Sequence, residues 1–455
     1  MCEGEDSAYR CVDCAESHMF CQDCLVQRHG RLPLHTVQVW TDDAFFAPYS
    51  LHQAGLVVQL GHDGCSCPNP KTPSKPLTVI DVSGIHSPLV QLMRARWWPA
   101  TVVRPRTVVT FRTLRLFHAL TIQGKVNAYD FYSGLAQVTD SVGLRGLKSS
   151  YKEFIRCVRI FCHLRMCKRA RRAHDLKGVE NTQVGELALP CPACPRPGIN
   201  MTANLEDIPP EEWYLYSLIL AIDANFKLKL KNRGTKSILF LDGWAYFVET
   251  APYMTHLANT TDIKEASWPA KHCSSEHNAL RGANMPHSKH FAINRVGAAI
   301  CARHLFYRVQ GVVDLHRGER YAAMDYAVFS SLGATAKKIK DLIFSYDIAC
   351  AWSVNFFKRL DESYTEIYQL PDDAVVTFCI PKFHLKAHGQ DCKCAFNFNH
   401  TEGVGRTCGE GIEAGWADTN PAAVSTREMG SAHRQEVLND FFGAINWRKI
   451  KTMGE

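Results

Sequence analysis

Near the start of the chain, cysteines stand in two Cys-x-x-Cys pairs, Cys11 with Cys14 and Cys21 with Cys24. His29 and His35 follow, and Cys65 and Cys67 lie further along beside His62. Zinc takes four sulfur or nitrogen ligands in a tetrahedron, and a two-residue gap lets both thiolates of a pair reach one ion from a tight turn. Two pairs and two histidines complete at least one site, and Cys65 and Cys67 supply ligands toward a second. The bland role is a structural zinc in a module too small for an adequate core. The alternative is a zinc-held surface offered to DNA or to another protein.

A second set of residues is acidic. Asp223 closes the apolar run Leu218-Ile219-Leu220-Ala221-Ile222, and Asp347 directly follows Leu342-Ile343-Phe344-Ser345-Tyr346. A carboxylate at the end of a buried strand is poorly solvated and must be paired or bind a cation. Gly409-Glu410-Gly411-Ile412-Glu413 offers a third acid, Glu410 or Glu413, at the start of a helix. Three carboxylates holding two Mg²⁺ ions about 3.5–4 Å apart activate a water or a 3′-hydroxyl and stabilise the departing oxygen. Acids at strand ends are more often caps or ion-pair partners, so spacing alone favours the structural role. His384 and His388, at i and i+4, fall between the second and third acids. They suit a metal, a phosphate or plain packing, and a small-molecule hydrolase built on them has no other support.

The third set is basic. Residues 151–172 read as a helix with Phe154, Val158, Phe161, Cys162 and Arg165 on one largely apolar stripe. Its end carries Lys168, Arg169, Arg171 and Arg172. Such cations give salt-dependent, sequence-blind affinity for phosphates. They equally suit the negative end of a helix dipole on a solvated surface.

These residues need a scaffold of more than one core. The 455 residues exceed one ordinary core, since a domain holds roughly 100–200. With 46% hydrophobic and 21% charged residues the composition is that of a soluble globular protein. The net charge of +7 permits nucleic-acid binding without requiring it. No apolar run approaches the ~20 residues that span a bilayer, so no membrane role is expected. The acidic, polar start carries no secretory signal. A reducing compartment, nucleus before cytoplasm, follows as the expectation, and the 19 cysteines read as thiols or metal ligands.

Punctuation by Pro68–Pro76 and Pro190–Gly198 divides the chain. The expected parts are a zinc-binding cluster over 1–70, a mostly helical basic connector over 80–190, and an α/β domain over 200–455. In the last part, alternation over Asn225–Lys231, a turn at Asn232-Arg233-Gly234 and Ser237–Leu241 predict a hairpin. Leu342–Tyr346 and Ala374–Ile380 predict buried strands. Strands separated by helical stretches give the α/β class.

Several ordered motifs resemble the Kyakuja–Dileera–Zisupton (KDZ) transposases. They are Asp223-Ala224-Asn225-Phe226, Asp314-Leu315-His316-Arg317-Gly318-Glu319-Arg320-Tyr321 with Met324-Asp325-Tyr326, Tyr346-Asp347-Ile348-Ala349-Cys350, Pro381-Lys382-Phe383-His384-Leu385, Gly403–Glu413 and Ser425–Gly430. The first third, with Trp97-Trp98-Pro99-Ala100-Thr101 and Cys191-Pro192-Ala193-Cys194-Pro195, resembles the CxC-type cysteine cluster that accompanies them. The resemblance implies a ribonuclease-H-like core of the DDE type, DNA strand cleavage and transfer at transposon ends, Mg²⁺ or Mn²⁺ as the catalytic metal, and self-association. Asp223 and Asp347 match the first two acids, with Glu410 preferred to Glu413 as the third. Cys301-Ala302-Arg303-His304 also looks family-like and is given no catalytic role.

Three departures count against an intact element. Ser87-Pro88-Leu89-Val90 follows Gly84-Ile85-His86 where such clusters continue with a Cys-x-Cys pair, which leaves the second zinc site incomplete. Cys408 stands where the family tends to have an acid, and the chain ends at Glu455 where relatives run on. A decayed, truncated copy, or a non-catalytic zinc-dependent DNA- or protein-binding adaptor, is the alternative these departures support.

Overall fold

A computed structural model describes residues 8–453 apart from 16–17, 44, 60–75, 92–96, 104, 203, 205–206, 235–237, 261–289, 317–319, 337 and 362–369. Cys65 and Cys67, expected as metal ligands, lie outside the described residues. The chain divides into two compact units, Met1–Cys162 and His163–Glu455.

The first unit opens with a three-stranded antiparallel sheet, β1 (Tyr9–Cys11), β2 (Val37–Thr41) and β3 (Phe45–Tyr49), and helix α1 (Gln22–His29). Phe20, Leu25, Val37, Leu51 and Leu56 form its small core. β4 (Val57–Gln59) pairs in parallel with β7 (Leu89–Gln91). A four-stranded sheet follows, in the order β6 (Gly84–His86), β5 (Thr78–Asp81), β9 (Thr107–Thr110), β8 (Trp97–Pro99). The helical pattern expected from about residue 80 begins only at Phe111. Strands of three or four residues are too short to display a period, and they were hidden for that reason.

Helices α2 (Phe111–Gly124), α3 (Ala128–Thr139) and α4 (Tyr151–Arg169) then build a core around Leu114, Phe117, Tyr132, Leu135, Phe154 and Phe161. Thr110 joins sheet to helix. Its hydroxyl accepts from the Thr113 N–H as the cap of α2 and donates to Asp81 Oδ1 at 2.6 Å. Asp81 is fully buried and also holds the Arg112 guanidinium and the Ser83 hydroxyl.

The second unit is organised by a five-stranded sheet in the order β14 (Tyr307–Leu315), β13 (Arg295–Cys301), β10 (Leu218–Asn225), β15 (Asp341–Tyr346), β16 (Val375–Cys379). β10 is central: it runs antiparallel to β13 and parallel to β15, while β13–β14 is antiparallel and β15–β16 parallel. Leu218, Leu220, Ile222 and Ala224 point to one face, with Leu342, Phe344 and Tyr346 from β15, and pack against Met324, Ala327 and Val328 of helix Tyr321–Ala336. Gly297 lets that helix approach, since a Cβ there would stand 2.6 Å from Met324 Sδ.

The opposite face carries Ile219, Ala221, Asp223 and Asn225 with Ile343, Ser345 and, past the strand end, Asp347, because side chains alternate along a strand. Helix Gly411–Thr419 covers this face. Beside Trp416 of that helix packs Phe442 of the long helix Ser431–Thr452.

The strands read from apolar runs, 342–346 and 374–380, are present as β15 and β16. The hairpin expected over Asn225–Leu241 is absent among the described residues. Asn225 Oδ1 accepts from Lys227 N at 2.8 Å and turns the chain, leaving only β11 (Leu230–Lys231), which pairs with β12 (Phe291–Ile293). Phe240 N donates to Glu436 Oε1 of the long helix, so that segment satisfies its backbone on a side chain rather than a strand.

Candidate functional site

In the first unit, Cys11 at the end of β1, Cys14 in the turn after it, His29 at the end of α1 and His35 before β2 converge. Their four donor atoms lie within 4.8 Å of one another. Cys14 Sγ is 3.5 Å from both His29 Nε2 and His35 Nδ1, and Cys11 Sγ is 3.5 Å from His35 Nδ1. A backbone bond, Val12 N to Thr36 O, and a bond from Thr36 N to the Asp13 carboxylate Oδ2 hold the two loops together.

The buried His29 places Nδ1 2.8 Å from the Leu25 carbonyl, an acceptor only, so Nδ1 carries the proton and Nε2 turns its lone pair to the sulfurs. Burial lowers the His29 pKa, which keeps the ring neutral as a ligand must be. Burial also pushes the Cys11 thiol up to about 11. A cation would offset that cost, and two thiols with two imidazoles fit zinc. Cys21 and Cys24, at the N-terminal end of α1, stand outside this group of four. The expectation of at least one site from the two pairs and the two histidines is met by one group of four, drawn from the first pair and both histidines.

In the second unit, the β10–β15 register pairs Ile222 with Tyr346, so the next positions are Asp223 on β10 and Asp347 just past the end of β15, on the same face of the sheet. Burial first, then the Asp347 charge, pushes the Asp223 carboxyl up to about 7, with Glu413 adding to the rise and the Trp416 N–H opposing it. Trp416 Nε1 donates to Asp223 Oδ2 at 2.8 Å. Glu413 lies one turn before Trp416 on the same helix, and His384 Nε2 approaches Glu413 Oε1 at 3.1 Å.

Glu410 is engaged differently: its Oε1 accepts the Phe383 backbone N–H. Among the described residues, the acids do not gather to within 4.8 Å as the Cys/His groups do. Three glycines let the helix seat this closely. A Cβ on Gly409 would stand 2.2 Å from Ser345 Oγ, one on Gly411 1.8 Å from Leu305 Cδ2, and one on Gly415 2.6 Å from the Tyr307 hydroxyl.

Two other motif aspartates have structural partners. Asp314 pairs with Arg434 at 2.7 Å, and Asp325 binds Arg359 at 2.7 Å and Trp352 Nε1 at 2.5 Å. The basic cluster at the end of α4 is only half available. Arg169 pairs with Asp440, and Arg172 with Asp175 and Glu186, so both guanidinium groups are already spent within the fold. Lys168 and Arg171 remain exposed.

Sequence reading did not join Cys191 and Cys194 to Cys301 and His304, a second group of four within 4.8 Å. The signal was present as Cys-x-x-Cys and Cys-x-x-His, but the halves are too far apart in the chain to associate by spacing. Cys350, His388 and Cys392 form a buried group of three. His388 therefore sits with thiols, whereas His384 approaches Glu413.

The Kyakuja-Dileera-Zisupton transposase family model matches residues 216–446, just over half of the 455 residues. The model of the CxC2 like cysteine cluster associated with KDZ transposases matches residues 51–143. The first match spans Asp223, Asp347, Glu410 and Glu413; Cys11, Cys14, His29 and His35 precede the second. No curated protein and no solved structure matches the chain. With the acids and the sheet that aligns them inside the matched segment, the chain belongs to the Kyakuja-Dileera-Zisupton transposase family and carries its associated CxC2-like cysteine cluster.

Proposed function

We propose that the second unit is a ribonuclease-H-like core that cleaves and joins DNA strands, with Asp223, Asp347 and Glu413 holding Mg²⁺ or Mn²⁺. The sheet supports this reading: three antiparallel strands with the first at the centre, then two parallel strands on its other side. The observation that carries it is the side-by-side placement of Asp223 and Asp347 on one face, with the Asp223 carboxyl raised to about 7. Two carboxylates in so poorly solvated a place repel each other, and a divalent cation relieves both the repulsion and the desolvation.

When bound, such a cation lowers the pKa of a water or 3′-hydroxyl and stabilises the leaving oxygen. Trp416 orients the Asp223 carboxylate by its N–H, and His384 orients Glu413. Glu413 replaces Glu410 as the third acid, because Glu410 fastens the Phe383 loop through a backbone N–H. Lys168 and Arg171 supply phosphate contacts, and a second copy of the chain holds the other transposon end. Action on chromosomal DNA sets its place in the nucleus. Zinc at Cys11, Cys14, His29 and His35 is structural.

A non-catalytic adaptor is the second reading, favoured by the looser gathering of the acids relative to the Cys/His groups. Purified protein incubated with supercoiled DNA separates the two. Nicking or joining that requires Mg²⁺ or Mn²⁺ and is lost in a folded Asp347→Asn variant supports the enzyme. Salt-dependent DNA binding without cleavage under either metal selects the adaptor.

A further inference from the structure

Cys191 and Cys194 lie in the Pro-rich segment ahead of β10, whereas Cys301 ends β13 and His304 follows in the turn to β14. Folding brings the imidazole of His304 to Cys191 across 113 residues of chain, with Nδ1 3.5 Å from Cys191 Sγ. The same nitrogen is 3.4 Å from Cys301 Sγ, and all four donors fall within 4.8 Å of one another. The three cysteines are no more than 3% exposed.

Apolar packing alone has no reason to converge three thiols and an imidazole on one point inside a core. A tetrahedral ion has that reason. Hydrogen bonding from Cys191 and Cys194 already draws the Cys301 thiol well below its ordinary range, toward the thiolate a metal takes.

Local backbone supports the same conclusion. The His304 N–H points at Cys301 Sγ at 3.4 Å, so the turn presents an amide to the sulfur it folds around. Leu305 adopts a left-handed φ of 60°, and its N–H closes on the Cys301 carbonyl at 2.7 Å. A left-handed leucine is a strained choice that the surroundings must impose. Arg303 clamps the turn from outside through the Tyr214 carbonyl at 2.8 Å and the Gly403 carbonyl at 3.1 Å. Lys449 donates to the Leu305 carbonyl and brings a positive charge beside Cys301 and Cys191. Three thiolates and a dication leave one net negative charge, which that ammonium balances.

We propose that Cys191, Cys194, Cys301 and His304 bind one structural zinc ion, fastening the segment ahead of β10 to the β13–β14 turn. Each thiol releases its proton to solvent on binding. The site is closed, since protein fills all four positions. It also stands away from the acids, because Cys301 pairs with Leu220 near the start of β10 whereas Asp223 pairs with Ala298. The proposal is independent of whether the acids catalyse anything.

The test is zinc content per chain by plasma mass spectrometry on the full chain, together with the cobalt(II)-substituted spectrum. Cys194→Ser is expected to lose one zinc per chain, additively with one lost in Cys14→Ser. His304→Cys keeps the zinc and intensifies the sulfur-to-cobalt charge-transfer band, because a fourth thiolate joins the ion. A folded Cys194→Ser protein with undiminished zinc overturns the proposal. If Cys194→Ser does not fold, His304→Cys decides, and a cobalt spectrum identical to that of the parent overturns the proposal equally.

Discussion

The indole Nε1 of Trp416 reaches Asp223 Oδ2 at 2.8 Å, which ties the helix that carries Glu413 to the strand that carries the first acid. The two residues are 193 positions apart, yet this single bond sets the distance from helix to sheet edge at the acid face. It is also the N–H that opposes the rise of the Asp223 pKa.

Trp416→Phe keeps the ring packing and removes that donor. A hydrogen bond to a charged group contributes roughly 1.5–3 kcal/mol. The half-saturating Mn²⁺ concentration for DNA cleavage is expected to rise about tenfold, a change equivalent to ~1.4 kcal/mol. A metal titration of the variant that overlays the parent curve refutes the orienting role.

Asp223 also makes a pH prediction for protein stripped of divalent cations. Its folded pKa, about 7, lies above the ordinary value of 3.8, so the folded state prefers the protonated acid. That preference is fully present at pH below the unfolded value and is lost as pH rises through about 7. Urea midpoints in EDTA are therefore expected to fall between about pH 4 and about pH 7 and to level off above it, and Asp223→Asn to flatten the fall and stabilise by ~2 kcal/mol at the upper end. Equal slopes for parent and variant contradict the assignment.

Gly409 sits at φ +82°, and a Cβ there would collide with Ser345 Oγ and with the Phe398 ring 2.8 Å away. Gly409→Ala combines backbone strain with overpacking and is expected to cost about 2–4 kcal/mol. Chemical denaturation measures it, and a loss below ~0.5 kcal/mol means the helix is not seated as described.

Asp81 tests the first unit. Burial opposes its ionisation, but Arg112 and the Thr110 and Ser83 hydroxyls outweigh burial and hold the carboxyl at about 2. The stability this carboxylate contributes is present above the ordinary value of 3.8 and disappears as pH falls through about 2. Asp81→Asn is expected to cost about 3 kcal/mol at neutral pH, because one amide cannot satisfy the guanidinium and two hydroxyls that meet there. Thermal melts at neutral pH that coincide for variant and parent exclude this.

The sequence made some of this visible. β15 and β16 were readable because each is a nearly unbroken apolar run, although only β15 is buried and β16 is a half-exposed edge strand, and Asp347 was conspicuous at the end of β15. β13, Arg-Val-Gly-Ala-Ala-Ile-Cys, was not, because its glycine and alanines make room for Met324 and carry little hydrophobic signal. The false hairpin after Asn225 failed for a different reason. Alternation over Phe226–Lys231 suits a strand, but the Asn225 side chain captures the backbone first.

The preference for Glu410 over Glu413 could not be resolved from a motif that offers both. In the structure Glu410 precedes the helix and Glu413 lies in its first turn, a difference the motif alone does not show. Arg169 and Arg172 looked like phosphate ligands because their acidic partners, Asp440 and Glu186 among them, are not their helix neighbours.

The central place of β10 has a kinetic consequence. Its two flanking strands begin at Arg295 and Asp341, so Leu218–Ile222 emerges during synthesis long before either partner exists. Contacts this distant in sequence slow folding, and an unpaired, uncharged apolar strand adheres to its own kind in the interval. Recovery of soluble protein should therefore hinge on translation speed and growth temperature, and nascent chains halted before residue 341 should aggregate through the strand that later forms the middle of the sheet.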